Sequence, residues 1–197
     1  MSQGEAQFEK FFLERDLVPE RFTKAESRSR KTPDFKVLKD EALMFFCEVK
    51  DIREDEKLDE LLDDAEPGEM VGYGGNDPTY NRVAAKIHQA AKQFEAVNSE
   101  HQSPNVLAFF NMDDTCDWMD IIAVVTGGLP CEDGSWFHGF RKFSEGRIKD
   151  DKWSIDLYLW MERGGETKYF FTEQRDQHHG LLLRLFGIDE ERIRRLR

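Results

Sequence analysis

The run Ala42-Leu-Met-Phe-Phe-Cys-Glu-Val-Lys50 places the tightest constraint on how this chain can fold. Its apolar and aromatic content suits a strand buried in a sheet, yet Glu48 and Lys50 interrupt it. Residues two apart on a strand share a face, so these two charges project together and Val49 opposes them. Phe35–Leu38 reads as a preceding strand, joined to Leu43–Lys50 through Lys39-Asp-Glu, a hairpin-length connection. Asp34 follows Pro33 at the mouth of that first strand. Such a hairpin brings Asp34 and Glu48 side by side, where two carboxylates repel and each is costly to desolvate.

Two arrangements resolve the conflict. A hard divalent cation, Mg2+ with Mn2+ as a substitute, takes oxygen ligands from Asp34, Glu48 and the backbone carbonyl of Val49. Lys50 then lies close to a phosphate oxygen and the attacking water. Alternatively, the charges form ordinary cross-strand pairs on a solvated face. Pro33-Asp34 followed by Glu48-Val49-Lys50 resembles the signature of the PD-(D/E)XK nuclease superfamily, and the similarity covers roughly Glu5–Thr126. The resemblance implies a restriction-endonuclease-like fold and Mg2+-dependent hydrolysis of phosphodiester bonds, with DNA as the preferred substrate. It implies Asp34 and Glu48 as metal ligands and Lys50 as the catalytic lysine. It also implies an accessory metal-site acid on the first helix, Glu5 or Glu9, and pairing into a homodimer, as in many such nucleases.

Glu5–Leu17 has the periodicity of a helix, with Phe8, Phe11 and Phe12 on one broad face. Thr23–Lys31 is polar and reads as a loop. Tyr80–Val97 is the clearest helix, with a core stripe of Val83, Ile87, Ala90 and Phe94. A second stripe, Arg82, Lys86, Gln89 and Gln93, borders that buried face and offers basic and amide donors suited to phosphate oxygens. Asn105–Asn111 and Ile121–Thr126 have the length of buried strands, and Trp153–Met161 alternates like a half-buried one. A Gly-Gly turn leads from it to Thr167–Thr172, and Gly180–Phe186 and Asp189 to the end suggest helical turns. The expected architecture is α/β, or α+β, with a mixed sheet flanked by helices. Residues 1–126 form the nuclease-like core, and 127–197 a β-rich extension packed on the same domain.

Charge narrows the partners. The net charge is −12 in 197 residues, which argues against non-specific coating of nucleic acid. Asp51–Glu69 carries ten acids against two bases, a local −8, whereas Arg21–Lys39 carries seven bases against two acids. The acidic segment 51–69 motivates an alternative: a catalytically inactive module that binds a protein partner or mimics nucleic acid. No run of eighteen apolar residues exists for a membrane span, and the first residues do not form a signal peptide. Three cysteines, an odd number without metal-knuckle spacing, suggest reduced thiols and a cytoplasmic location. Asp59–Met70 reads as a short acidic helix or disorder. Gly72-Tyr-Gly-Gly lacks the features of a nucleotide loop and reads as a connection where Tyr73 or Tyr80 stacks on a base. His178 and His179 are adjacent and point apart, with no third ligand spaced nearby, so no zinc site is expected there.

Overall fold

Side-chain alternation along three central strands generates two cores, one on each face of a single sheet. The structure is a computed structural model, and it describes residues 1–53, 61, 63–70, 78–171 and 176–189. The chain runs α1 (Gln3–Leu13), β1 (Val18–Arg21), α2 (Lys24–Ser29), β2 (Phe35–Lys39), β3 (Ala42–Ile52), α3 (Pro78–Asn98), β4 (Asn105–Asn111) and α4 (Trp118–Thr126). The short pair β5 (Leu129–Pro130) and β6 (Trp136–Phe137) follows, then a π-helical turn (Lys142–Arg147) and a 3-10 turn (Asp151–Ser154). β7 (Leu157–Glu162), β8 (Thr167–Phe171) and α5 (Asp176–Phe186) complete it. Six strands form one mixed sheet in the order β1-β2-β3-β4-β7-β8. Its centre, β3-β4-β7, is parallel, and both margins are antiparallel.

Phe46 and Ile52 of β3, Leu107 and Phe109 of β4, and Tyr158 and Trp160 of β7 face Val83, Ile87, Ala90 and Phe94 of α3. The intervening residues, among them Cys47, Val49, Val106, Ala108, Leu157 and Leu159, face Phe8, Phe11 and Phe12 of α1 and Leu182 and Phe186 of α5. β4 is buried along its whole length, as a central strand covered on both sides must be. The β2–β3 turn puts Asp40 and Glu41 at positive φ (51° and 66°), the geometry of a two-residue hairpin turn that follows strand twist.

The architecture is therefore α/β with a mixed sheet flanked by helices, and several local expectations are corrected. Ile121–Thr126 is not a strand but the body of α4. Asp117 and Asp120 make a reciprocal capping box, and Gly127 ends the helix at φ 82°. An apolar run buried on every side carries no period that separates helix from strand. Thr23–Lys31 is not wholly loop: Thr23 and Glu26 cap α2 in the same reciprocal way. Trp153 lies in a 3-10 turn rather than at the start of the strand, which begins at Leu157. β1 was hidden by Pro19, which an outer strand tolerates. β7 and β8 extend the same sheet beyond β4, so the sheet crosses the expected boundary at 126/127. The Gly72 loop with Tyr73 and the chain from 190 onward lie outside the described residues, as does much of the acidic segment 51–69.

Candidate active site

The hairpin ladder between β2 and β3 stops at Phe35 opposite Cys47. Continuing that register sets Asp34 opposite Glu48. Beyond this point β2 offers no further backbone acceptor, and the Asp34 side chain takes over: its Oδ2 accepts from the Val49 N–H at 2.8 Å. A strand residue presents its N–H and C=O on the same edge, so the Val49 carbonyl faces the side on which Asp34 stands.

Glu48 and Lys50 emerge on the α3 face, between Phe46 and Ile52. Lys50 Nζ donates to Glu48 Oε1 at 2.5 Å, and the two side chains are only 16% and 3% exposed. Glu48 Oε2 is buried and has no hydrogen-bond partner among the described residues. Burial, reinforced by the negative charge of Asp34 and opposed by Lys50, pushes the Glu48 carboxyl up to about 7. Asp34 is also raised, first by burial and further by Glu5, while the Val49 N–H pulls the other way. The solvated cross-strand pair expected as the alternative does not describe Glu48, which is enclosed.

The surrounding residues sort by what they hold. Gln93 accepts from Lys50 Nζ at 3.4 Å and donates to the Thr32 carbonyl at 2.9 Å, linking α3 to the segment that carries Asp34. Glu5 is fixed by Arg21 at 2.6 Å and lies near enough to act on Asp34. Glu9 sits one turn further along α1, and no hydrogen bond or ion pair joins it to Asp34 or Glu48. Lys86 is lowered by burial and then by the charge of Lys50, with Arg82 and Arg53 acting in the same direction. Asp51 pulls the other way, so Lys86 stands among charges of both signs.

Arg82 is held by partners of its own. It pairs with the fully enclosed Asp113 carboxylate at 2.6 Å and donates to the Arg53 carbonyl and to Thr79. Gln89 is exposed. A cleft of about 160 Å³ opens next to Asp34, lined by Arg21, Phe22, Ser27, Thr32, Pro33 and Asp34. Arg21 and Phe22 were not anticipated, because β1 and α2 were not recognised as the walls of that cleft.

A second polar group lies elsewhere. His178 and His179 do part company: His178 stacks on His101, and His179 packs its ring edge against Phe171. A third candidate ligand is nevertheless present, because His101, Asp156 and His178 come together from three separate segments. Sequence spacing could not reveal a group assembled from positions so far apart.

Fold and site together define a mixed α/β protein with a buried carboxylate, a second carboxylate and a lysine where a hairpin ladder ends. Compared with family models, curated proteins and solved structures, the chain matches none. Among the described residues, no helix is long and apolar enough to cross a membrane.

Proposed function

We propose that the chain is a Mg2+-dependent nuclease that hydrolyses phosphodiester bonds in DNA, with Asp34, Glu48 and Lys50 at its centre. The observation that carries this reading is the enclosed Glu48 carboxylate. One oxygen has no partner, the neighbouring carboxylate repels it, and a single lysine offsets the pair. An oxygen-only set, made of Asp34, Glu48 and the Val49 carbonyl, fits Mg2+ or Mn2+ and would lower both carboxyl pKa values. When bound, such an ion supplies Lewis-acid polarisation of a phosphoryl oxygen and offsets charge gained in the displacement.

The chain's own residues supply the rest. Lys50, held by Glu48 and Gln93, orients the attacking water and neutralises charge developing on the phosphate in this reading. Gln93 fixes Lys50 relative to Thr32 and so relative to Asp34. Lys86 adds positive charge on the same side, where a polyanion can approach despite the net charge of −12. The resemblance of Pro33-Asp34 and Glu48-Val49-Lys50 to the PD-(D/E)XK signature supports DNA as the substrate class.

The test is cleavage of single-stranded, nicked and duplex DNA with Mg2+ or Mn2+ by the full chain. Asp34→Ala and Glu48→Ala are each expected to lower the rate by at least about 1000-fold, the worth of several kcal/mol of charge stabilisation. Circular dichroism should remain that of the unmutated chain. A chain that leaves every substrate uncut, and whose Mg2+ binding does not depend on Asp34 and Glu48, is instead a non-catalytic module.

A further inference from the structure

The loop between α3 and β4, the residues leading into β7 and the first turn of α5 meet at His101, Asp156 and His178. One ligand atom from each lies within 4.8 Å of the other two. All three residues are closed off from solvent, with relative exposures of 9%, 5% and 5%. Asp156 Oδ2 accepts from the Asn105 N–H at 2.7 Å and lies 2.6 Å from His101 Nε2. The other oxygen, Oδ1, is buried and has no partner among the described residues. The His178 ring stacks on His101 with centroids 5.5 Å apart and planes at 14°, and its Nε2–H donates to the His101 carbonyl at 3.1 Å. Buried carboxylate oxygens are rarely left unpaired, and two imidazoles beside one form a recognisable donor set.

We propose that His101, Asp156 and His178 bind a Zn2+-class transition-metal ion, which fastens α5 to the sheet. Two imidazole nitrogens and a carboxylate suit zinc, which accepts mixed N and O ligands in a tetrahedron, with water as the fourth ligand. The same set suits Mg2+ poorly, since that ion favours oxygen and several waters. Ligand distances of about 2.0–2.1 Å set the three atoms about 3.3 Å from one another. His101 Nε2 and Asp156 Oδ2, 2.6 Å apart, would open by about 0.7 Å, and no other pair would have to close by more than about 1.5 Å. The supports are already in place: Asn105 donates its N–H to Asp156 and its Nδ2 to the Ser154 carbonyl, and Asn98 Nδ2 donates to the Asn105 side chain. His101 itself is held in the left-handed region at φ 50° by the loop that presents it. The three ligands come from separate segments and are closed off from solvent, so the ion acts as a staple between those segments.

The full chain carrying Asp34→Asn and Glu48→Gln, stripped of metal by a chelator, separates this site from the proposed nuclease centre. Titration with Zn2+ is expected to give one equivalent bound and a higher melting temperature. Co2+ in its place should show the intense visible absorption of a four-coordinate site with nitrogen ligands. Adding His178→Gln should weaken binding by more than the roughly 10- to 100-fold typical of losing an outer-shell partner. Absence of a stoichiometric zinc equivalent, or retention of full affinity by the His178→Gln chain, overturns the proposal. Should His178→Gln fail to fold, the Co2+ spectrum of the parent chain decides, and a weak six-coordinate spectrum counts against the site.

Discussion

Glu48 and Asp51 stand three residues apart on β3 and leave the sheet on opposite faces. Asp51 receives the Ser2 hydroxyl at 3.2 Å and the Gly4 N–H at 3.1 Å, and it pairs with Arg53 at 3.3 Å. It sits at the N-terminus of α1, where the helix presents unpaired N–H groups and a positive dipole end. Glu48 meets Lys50 on one oxygen, its other oxygen is buried with no hydrogen-bond partner among the described residues, and Gln93 and Lys50 only partly offset burial and the charge of Asp34. The two acids are nearly adjacent in sequence, but one completes a helix and the other carries an unresolved electrostatic cost. Unresolved costs of this kind concentrate at functional sites, whereas satisfied carboxylates belong to the scaffold.

Substitutions of opposite sign sharpen this contrast. Because burial raises the Glu48 carboxyl, the protonated form is favoured in the folded chain. Its contribution to stability is complete below the ordinary value of 4.5 and is lost as pH rises through about 7. Glu48→Gln keeps an acceptor for Lys50 and removes the buried charge. At pH 8 it is expected to stabilise the chain by on the order of 3 kcal/mol, and to flatten the pH dependence below 7, as read by denaturant unfolding. Saturating Mg2+ should stabilise the unmutated chain and leave the variant unmoved. A less stable Glu48→Gln chain at pH 8 would break the comparison.

On the other face the expected changes are smaller and destabilising. A Cβ on Gly4 would stand 2.2 Å from Asp51 Oδ1 and 2.8 Å from Phe110 Cβ. Gly4→Ala should therefore cost about 2 kcal/mol, as overpacking does. Asp51→Ala should cost about 1 kcal/mol through the lost helix-end contacts. In the double variant the two losses should sum to less than their separate values, since the first clash disappears with the Asp51 carboxylate. Thermal melts of the four chains measure that shortfall directly.

Part of the candidate site could be read from sequence because a hairpin is a local object. The turn sets Lys39 opposite Ala42, but counting from it alone would set Asp34 opposite Cys47; a register shift between Val37 and Leu38 brings Asp34 opposite Glu48 instead. Gln93 and Lys86 followed from the α3 stripe, since helical period places both beside the buried face. Arg82 shares that stripe but is bound to Asp113, a partner 31 residues away that no local pattern reveals. The same limit hid the cleft walls. β1 pairs with β2 through an outer strand containing proline, and α2 announces itself only by the Thr23–Glu26 capping box. The strand expected at Ile121–Thr126 is a helix for another reason: burial of Ile121–Val125 erases the periodicity, and only Asp117 and Gly127 at its ends mark it as helical.

The pairing of β7 with β4 also determines how this chain can be divided. A fragment ending at Thr126 would strip β4 of its neighbour across Val106–Asn111. A parallel edge of wholly buried residues, Leu107 and Phe109 among them, would then lie open to other chains. Such a fragment should self-associate through that edge, even though it retains every residue of the carboxylate centre.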